Sequence, residues 1–498
     1  DKFYSKKVGD LHHRNLRICE VDRPIFEAAQ IMAKEKISCL FIGDSEQNIL
    51  GFVTDITLRD KVIAKQMDTS APISTIMDRG IVAISNSAFL YEALLLMFQT
   101  KTRYLLVKYK NTYVGWISRN KILTEQSQGP FIFIQSVKQA LDVDELKEKW
   151  QQVPKIIHQL IENGLKSEII NQIVSTVSDT IALRVIENII SDMGTPPAKF
   201  VFFVMGSEGR GEQTLKTDQD NAIIYEDKAN EQRELVRDYF LDFSNRVSTA
   251  LDHIGFSFCL GGFMAKNPKW THSLSHWKRN YESWIQESTQ ETVMKYSTFF
   301  DCRAIYGDFG ILEELKGFMD QQLQNPTERF FLNMGNNALQ YEPPLTFLKN
   351  IRTFKIEGEK FFDIKKTMTP IVDLVRIFAL KNRIFETNTG KRIIALQQNS
   401  VFTEKEAQEL LHAYYYLMAL RMEKQALMII EENKAPENFV SIKELTKVQM
   451  VTLVEIFKVI KEILLKVLIM EILIKSIKIF KIKLLSLHYL FYEPRRST

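Results

Sequence analysis

Cysteine is scarce in this sequence. Only Cys19, Cys39, Cys259 and Cys302 occur in 498 residues, and no two form a CxxC pair. That spacing points away from a disulfide framework or a structural zinc site and towards reduced thiols in a cytoplasmic protein. An excess of charge of one sign is also missing. The 65 Lys and Arg against 61 Asp and Glu leave a net charge of +4. A protein that coats nucleic acid through a broad basic field is not expected at that balance, although local basic pockets are. No run of about 18 uncharged apolar residues occurs, so no transmembrane helix is expected. His272 and His276 stand at helical spacing, but outside any HExxH context, and no metal is assigned to them. The sequence opens on Asp1, not Met, without a signal-peptide pattern, as a fragment of a longer chain would.

What is present is an ordinary globular composition, 45% hydrophobic and 25% charged, in a chain long enough for roughly three domains. Near the start, residues 22–62 and 85–123 share one layout. Each has a polar start, an amphipathic helix with an Ala-containing face (Glu27-Ala28-Ala29, Glu92-Ala93), and a strand (Cys39 to Ile42, Tyr104 to Val107). A turn carrying Gly51 or Gly115 follows, then a second strand, Gly-Phe-Val-Thr or Gly-Trp-Ile-Ser. The two glycines are 64 positions apart, as in a paired module. This β-α-β-β-α plan resembles tandem cystathionine-β-synthase (CBS) domains over residues 1–130. The resemblance implies an adenine nucleotide held by a hydroxyl at the strand end and a polar residue three positions on. Those positions are Thr54 and Thr57 in the first repeat, and Ser118 and Lys121 in the second. The Asp that the family usually has at the second position is in neither repeat. The resemblance also implies a homodimer through the CBS pair.

Residues 131–195 repeat apolar positions at i, i+3, i+4 and i+7, with Gly164 and Gly194 as stops. They read as a helical connector. The chemistry is concentrated beyond it. A hydrophobic run ends in Gly206-Ser207, and after ten intervening residues come Asp218-Gln219-Asp220 and the apolar stretch "NAIIY". On an extended chain, positions i and i+2 face one way, so Asp218 and Asp220 aim two carboxylates at one spot. Two such charges repel unless a cation sits between them, and Mg²⁺ (or Mn²⁺) with substrate phosphate oxygens suits them. Arg210, a planar fork, is placed to neutralise a triphosphate.

The order strand, Gly-Ser, x(10), D-x-D, strand resembles the DNA polymerase β-like nucleotidyltransferase superfamily. The longer string "GSEGRGEQTLKTDQDNAI" resembles the nucleotidyltransferases that carry tandem CBS domains. They are similar in turn to the catalytic domain of PII-protein uridylyltransferase. The resemblance implies that Asp218 and Asp220 bind the metal and that Gly206 and Ser207 hold a nucleoside triphosphate (NTP). It implies that Arg210 and Glu212 shape the loop and that Thr217 orients the first aspartate. Many members use a third carboxylate from a later strand. The next apolar stretch, residues 255–265, reads as that strand and contains none, which leaves Asp301 as the candidate third metal ligand.

The Trp-rich segment 263–285 suits packing and a substrate loop better than stacking on nucleic-acid bases. From about 345 to 430 the chain reads as helical, with Lys365, Arg376, Arg392 and Arg421 on otherwise apolar faces. Some of them are expected to meet carboxylates, as salt bridges within a helical bundle, or substrate phosphate. The last residues, 463–498, are almost entirely Ile, Leu, Lys and Phe and look like translation in a shifted frame; no function is drawn from them.

The expected architecture is α+β and multidomain. It comprises a tandem CBS pair (1–130), a helical connector (131–195), a polymerase β-like nucleotidyltransferase α/β domain (196–335) and a C-terminal helical bundle (336–462). The expected activity is transfer of a nucleoside monophosphate from an NTP to an acceptor, a protein by the uridylyltransferase resemblance, under control of the CBS pair. The alternative is a catalytically inactive nucleotide-binding module acting through protein partners.

Overall fold

The computed structural model describes residues 2–11, 14–124, 129–228, 230–346 and 350–465. The segment 466–498, which holds most of the low-complexity tail, lies outside the described residues. The chain forms two compact units, Asp1–Gln139 and Ala140–Thr498.

In the first unit, a short helix α1 (Lys2–Ser5) precedes two copies of one motif. The first copy is β1 (Ile18–Cys19), α2 (Ile25–Glu35), β2 (Cys39–Ser45), β3 (Asn48–Thr54) and the single turn α3 (Asp55–Thr57). The second is β4 (Ala83–Ser85), α4 (Leu90–Gln99), β5 (Tyr104–Tyr109), β6 (Thr112–Ser118) and α5 (Arg119–Leu123). In each copy the first strand runs parallel to the second, and the second and third form an antiparallel hairpin. The two sheets share an apolar layer of Cys39, Phe41, Tyr104, Leu106 and Trp116. Gly51 and Gly115 lie inside β3 and β6, opposite Ile42 and Val107, rather than in the turns. The reason is close backbone approach: a Cβ at Gly51 would sit 2.5 Å from the Asp78 carbonyl oxygen. The helix α6 (Pro130–Lys138) closes this unit.

The second unit opens with α7 (Val143–Glu162) and α8 (Ser167–Met193). Asp142 caps α7 by accepting the Glu145 N–H at 2.9 Å. By length and composition α8 is apolar enough to cross a membrane, but 72% of its apolar window is buried inside the protein. Asn171 on α8 donates to the Gln213 carbonyl at 2.9 Å, so these helices hold the motif loop.

The central sheet has the order β10-β7-β8-β9, with β7 (Phe200–Val204), β8 (Asn221–Tyr225), β9 (Thr271–Ser273) and β10 (Arg303–Gly307). Every residue of β7 and β8 is buried, as expected of central strands covered on both faces. The single turn α9 (Gly206–Gly209) follows β7, and the long helix α10 (Asn230–Ile254) follows β8. On one face, Phe200 and Tyr225 pack on Phe240 of α10. On the other lie Val201, Phe203, Ala222 and Ile224, with α11 (Leu274–Gln286), α12 (Gln290–Tyr296), α13 (Phe309–Gln324) and α14 (Glu328–Ala338). The tryptophans Trp270, Trp277 and Trp284 are buried in this core, and Trp277 Nε1 donates to the Ile223 carbonyl at 3.0 Å. They serve packing, not base stacking.

Residues 255–265 are not the strand their pattern suggested. They form a loop with a single bridge, Ser257 to Asp218, and the strand beside β8 is β9. The C-terminal region is likewise not purely helical. The strands β11 (Phe354–Ile356), β12 (Glu359–Asp363) and β13 (Phe439–Ser441) form an antiparallel sheet. Its tight turn uses Glu357 and Gly358 at φ +49° and +88°. The helices α15 (Ile364–Lys381), α16 (Thr389–Gln398) and α17 (Glu404–Ile430) pack on one another, and residues 447–465 are helical.

Candidate active site

The strand β7 delivers the chain to Met205, whose N–H donates to the Asp220 carbonyl at 3.0 Å. The chain then turns sharply at Gly206, at φ +62°. A Cβ there would lie 3.0 Å from Asp220 Oδ2, so glycine serves both the left-handed backbone and the close carboxylate. Asp218 to Asp220 run extended into β8. The Gln219 N–H donates to the Ser257 carbonyl at 2.9 Å. The Gln219 side chain is fully buried and donates to the Ser248 and Phe256 carbonyls at 2.9 and 2.8 Å. With Gln219 committed to the interior, Asp218 and Asp220 share the opposite side.

Ligand atoms of Asp218, Asp220 and Cys259 all lie within 4.8 Å of one another. Burial, reinforced by Asp218, pushes the Asp220 carboxyl up to about 7. Burial also holds Glu208 well above the usual carboxylate range, with Asp220 and Asp179 adding to it. This is the electrostatics of an acid pair short of positive charge, and its oxygen donors suit a hard divalent cation.

The side-chain cations that act on Asp220 are Lys365, from the helical region, and Arg210. Lys365 begins α15, faces Asp218 and Asp220, and is exposed to solvent. Burial of its surroundings, then Arg421, lowers its pKa from the ordinary lysine value. Arg421 is buried, donates to the Asn438 side chain at 2.8 Å, and is pushed down to about 10 by burial. Neither has an ion-pair partner among the described residues. Arg376 and Arg392, expected to meet a carboxylate or substrate phosphate, meet a carboxylate.

Their target is Asp301, which is fully buried and accepts from Arg376, Arg392 and Arg210. Burial would raise its pKa, but the three guanidinium groups overcome that and hold it well below the usual range. Asp301 is therefore not a third metal ligand, because both its oxygens are occupied by arginine. Arg210 is corrected with it. Its Nε donates to Glu212 at 2.9 Å and its Nη1 to Asp301 at 2.8 Å, so its charge is answered inside the protein and not by a triphosphate. Arg210 and Glu212 shape the loop: the Thr389 N–H of α16 donates to Glu212, and Asn388 donates to the Arg210 carbonyl at 3.0 Å. Thr217 contacts the Asp218 carbonyl at 3.4 Å, through the backbone rather than the carboxylate. Ser207 is half-buried, next to Gly206. Gln425 on α17, which carries no local signal in the sequence, accepts the Leu215 and Lys216 N–H groups at 3.0 and 3.2 Å.

In the first unit, Thr54 and Thr57 cap α3 reciprocally, each hydroxyl accepting the other's N–H at 3.2 Å. Ser118 accepts the Lys121 N–H at 3.3 Å. None of these lines the cavity of about 300 Å³ bounded by Arg14, Asn15, Arg17, Glu35, Ile37, Cys39, Phe41 and Trp116.

Family comparisons agree with this layout. Residues 151–291 match the family described as "Putative nucleotidyltransferase DUF294". Residues 328–467 match "Putative nucleotidyltransferase substrate binding domain", and 8–64 and 73–127 each match the CBS domain. The chain belongs to the DUF294 family that carries tandem CBS domains. The CBS domain-containing proteins CBSCBSPB5 and CBSCBSPB4 of Arabidopsis thaliana are each 32% identical over 108 residues. That match covers 20% of this chain and only a fifth of each relative's length. Among solved structures, an uncharacterized conserved protein from Pyrococcus horikoshii is 18% identical (TM-score 0.24), over 25% of this chain and 95% of its own. A CBS domain protein from Pyrobaculum aerophilum complexed with AMP is 20% identical (TM-score 0.22), over 24% of this chain and 96% of its own. In this DUF294 chain, Cys259 and Glu208 are the site neighbours that sequence reasoning missed.

Proposed function

We propose that this protein transfers a nucleoside monophosphate from an NTP to an acceptor, through a divalent cation, Mg²⁺ or Mn²⁺, held by Asp218 and Asp220. The observation that carries the reading is the placement of both carboxylates on one side of an extended segment, against the turn at Gly206. Gly206 leaves room for a phosphate beside Asp220, and Ser207 offers a hydroxyl there. Lys365 and Arg421, cations without a carboxylate partner among the described residues, would neutralise the triphosphate from the opposite wall. Bound between the carboxylates, the cation would polarise the phosphate under attack and favour the deprotonated acceptor hydroxyl. The chain's own part is to position the two groups in line and to offset the charge of departing pyrophosphate.

The acceptor in this reading is a protein side chain in the cytoplasm, and an adenine nucleotide on a dimeric CBS pair sets the rate. The cavity beside Phe41, Trp116 and Arg14 supports a nucleotide there, because aromatic faces and a guanidinium suit a base and a phosphate. One observation favours a second reading, nucleotide binding without turnover: Asp301 is consumed by arginine, so the acid pair has no third carboxylate in its ligand cluster among the described residues.

The deciding experiment measures pyrophosphate release from each NTP with Mg²⁺, for the wild type and for Asp218→Asn with Asp220→Asn. Release lost in a folded double variant supports the transferase. Unchanged release removes Asp218 and Asp220 from the chemistry. Calorimetric NTP binding by the wild type without any release favours the second reading.

A further inference from the structure

The loop 255–265 is stapled to the same backbone that carries the acid pair. Asp218 bridges Ser257, the Asn221 N–H donates to the Phe263 carbonyl at 3.0 Å, and Asn221 Oδ1 accepts the Ala265 N–H at 2.9 Å. Between these staples the tip turns over, the Gly262 N–H donating to the Cys259 carbonyl at 3.0 Å. The turn brings Cys259 Sγ into the cluster with Asp218 and Asp220. The sulfur stands beside the carboxylates of Asp218 and Asp220. Cys259 is half-buried, whereas Cys19, Cys39 and Cys302 are buried.

We infer that Cys259 is a third protein ligand of the divalent site, which gives the Asp218–Asp220 pair a sulfur donor for thiophilic cations of the Zn²⁺, Cd²⁺ and Co²⁺ class. The inference rests on the metal reading above and extends it. The Cys259 S–H bond breaks, its proton passes to solvent, and the sulfur lone pair forms the bond to the cation, with no change in oxidation state. Oxygen-only sites favour Mg²⁺ and Mn²⁺, whereas a thiolate shifts preference towards softer ions. Zn²⁺ and Cd²⁺ therefore compete with Mg²⁺ here, and the competition depends on one sulfur.

The test titrates the full chain with Co²⁺ and Cd²⁺, reading sulfur-to-metal charge-transfer absorption, and with Mn²⁺, reading its paramagnetic resonance signal. Wild type, Cys259→Ser, and Asp218→Asn with Asp220→Asn are compared, with circular dichroism confirming the fold of each. Expected are a saturable charge-transfer band in wild type, its loss in Cys259→Ser, and a Cd²⁺ affinity at least about tenfold weaker in that variant. Mn²⁺ affinity should change by no more than about threefold. Mn²⁺ binding by wild type without a Co²⁺ or Cd²⁺ band overturns the sulfur ligand and leaves the acid-pair reading standing. A band that survives in Cys259→Ser places the sulfur elsewhere and overturns the inference. Failure of every ion to bind wild type sinks both readings, and a Cys259→Ser protein that does not fold is replaced by Cys259→Ala under the same criteria.

Discussion

Arg376 grips both carboxylate oxygens of Asp301, with Nε 3.0 Å from each and Nη2 2.5 Å from Oδ2, where neither residue reaches solvent. The contact joins α15 to the chain entering β10, and Arg210 and Arg392 converge on the same carboxylate. Such a cluster is sensitive to loss of its centre, because three buried guanidinium groups would share less negative charge. Asp301→Asn is expected to lower unfolding free energy by about 3–5 kcal/mol in denaturant titration. Its pKa is depressed in the folded state. Its contribution is therefore present above the unfolded carboxylate value and is lost as pH falls below it. Acid titration of wild type should show this loss, and the Asn variant should not.

Gly206→Ala tests the turn. The substitution places a methyl group at φ +62° and 3.0 Å from Asp220 Oδ2. A cost of about 1–2 kcal/mol in stability is expected from the backbone alone. Displacement of Asp220 should also reduce pyrophosphate release by more than the stability loss explains. An Ala variant with wild-type melting temperature and turnover would remove the structural reason given for this glycine.

The strand, Gly-Ser turn and acid pair were legible because each depends on neighbours within about twenty residues. The two CBS repeats were legible because the layout occurs twice. Asp301 was misread for the opposite reason. Its partners Arg376 and Arg392 stand 75 and 91 residues away, and no spacing rule links them. Cys259 was missed because residues 255–265 alternate like a strand, while only Ser257 finds a pairing partner. The β11–β12 hairpin was hidden in a stretch read as helical. There the Glu357-Gly358 turn was the available signal.

His272 and His276 give a pH dependence of the opposite chemical type from Asp301. Their rings stack with centroids 3.6 Å apart, and Arg237 Nη1 donates to His272 Nδ1 at 2.9 Å. A ring nitrogen that accepts from arginine must be unprotonated. Burial, His276 and Arg237, with Arg279 and Arg233 further off, push His272 down to about 3 from an ordinary 6.5. The unfolded chain therefore binds the extra proton first, and stability should fall as pH drops below about 6.5. Chemical denaturation at pH 7.5 and 5.5 checks this. His272→Gln should flatten the difference, and an unchanged slope would show that the pair does not set it.

Lys365 offers the sharpest separation of binding from folding. It stands at the start of α15, faces the acid pair, and makes no ion pair among the described residues, so its removal breaks no salt bridge there. Its lowered pKa means that the fold gains nothing from its charge. Lys365→Met is therefore expected to keep or slightly raise the melting temperature. If Lys365 meets triphosphate, the same variant should bind NTP at least about tenfold more weakly with Mg²⁺, the loss of one charge-assisted contact. Nucleotide binding at the CBS pair should not change. Weaker NTP binding with a lowered melting temperature would instead mark Lys365 as part of the scaffold. Unchanged NTP binding would move the triphosphate away from α15.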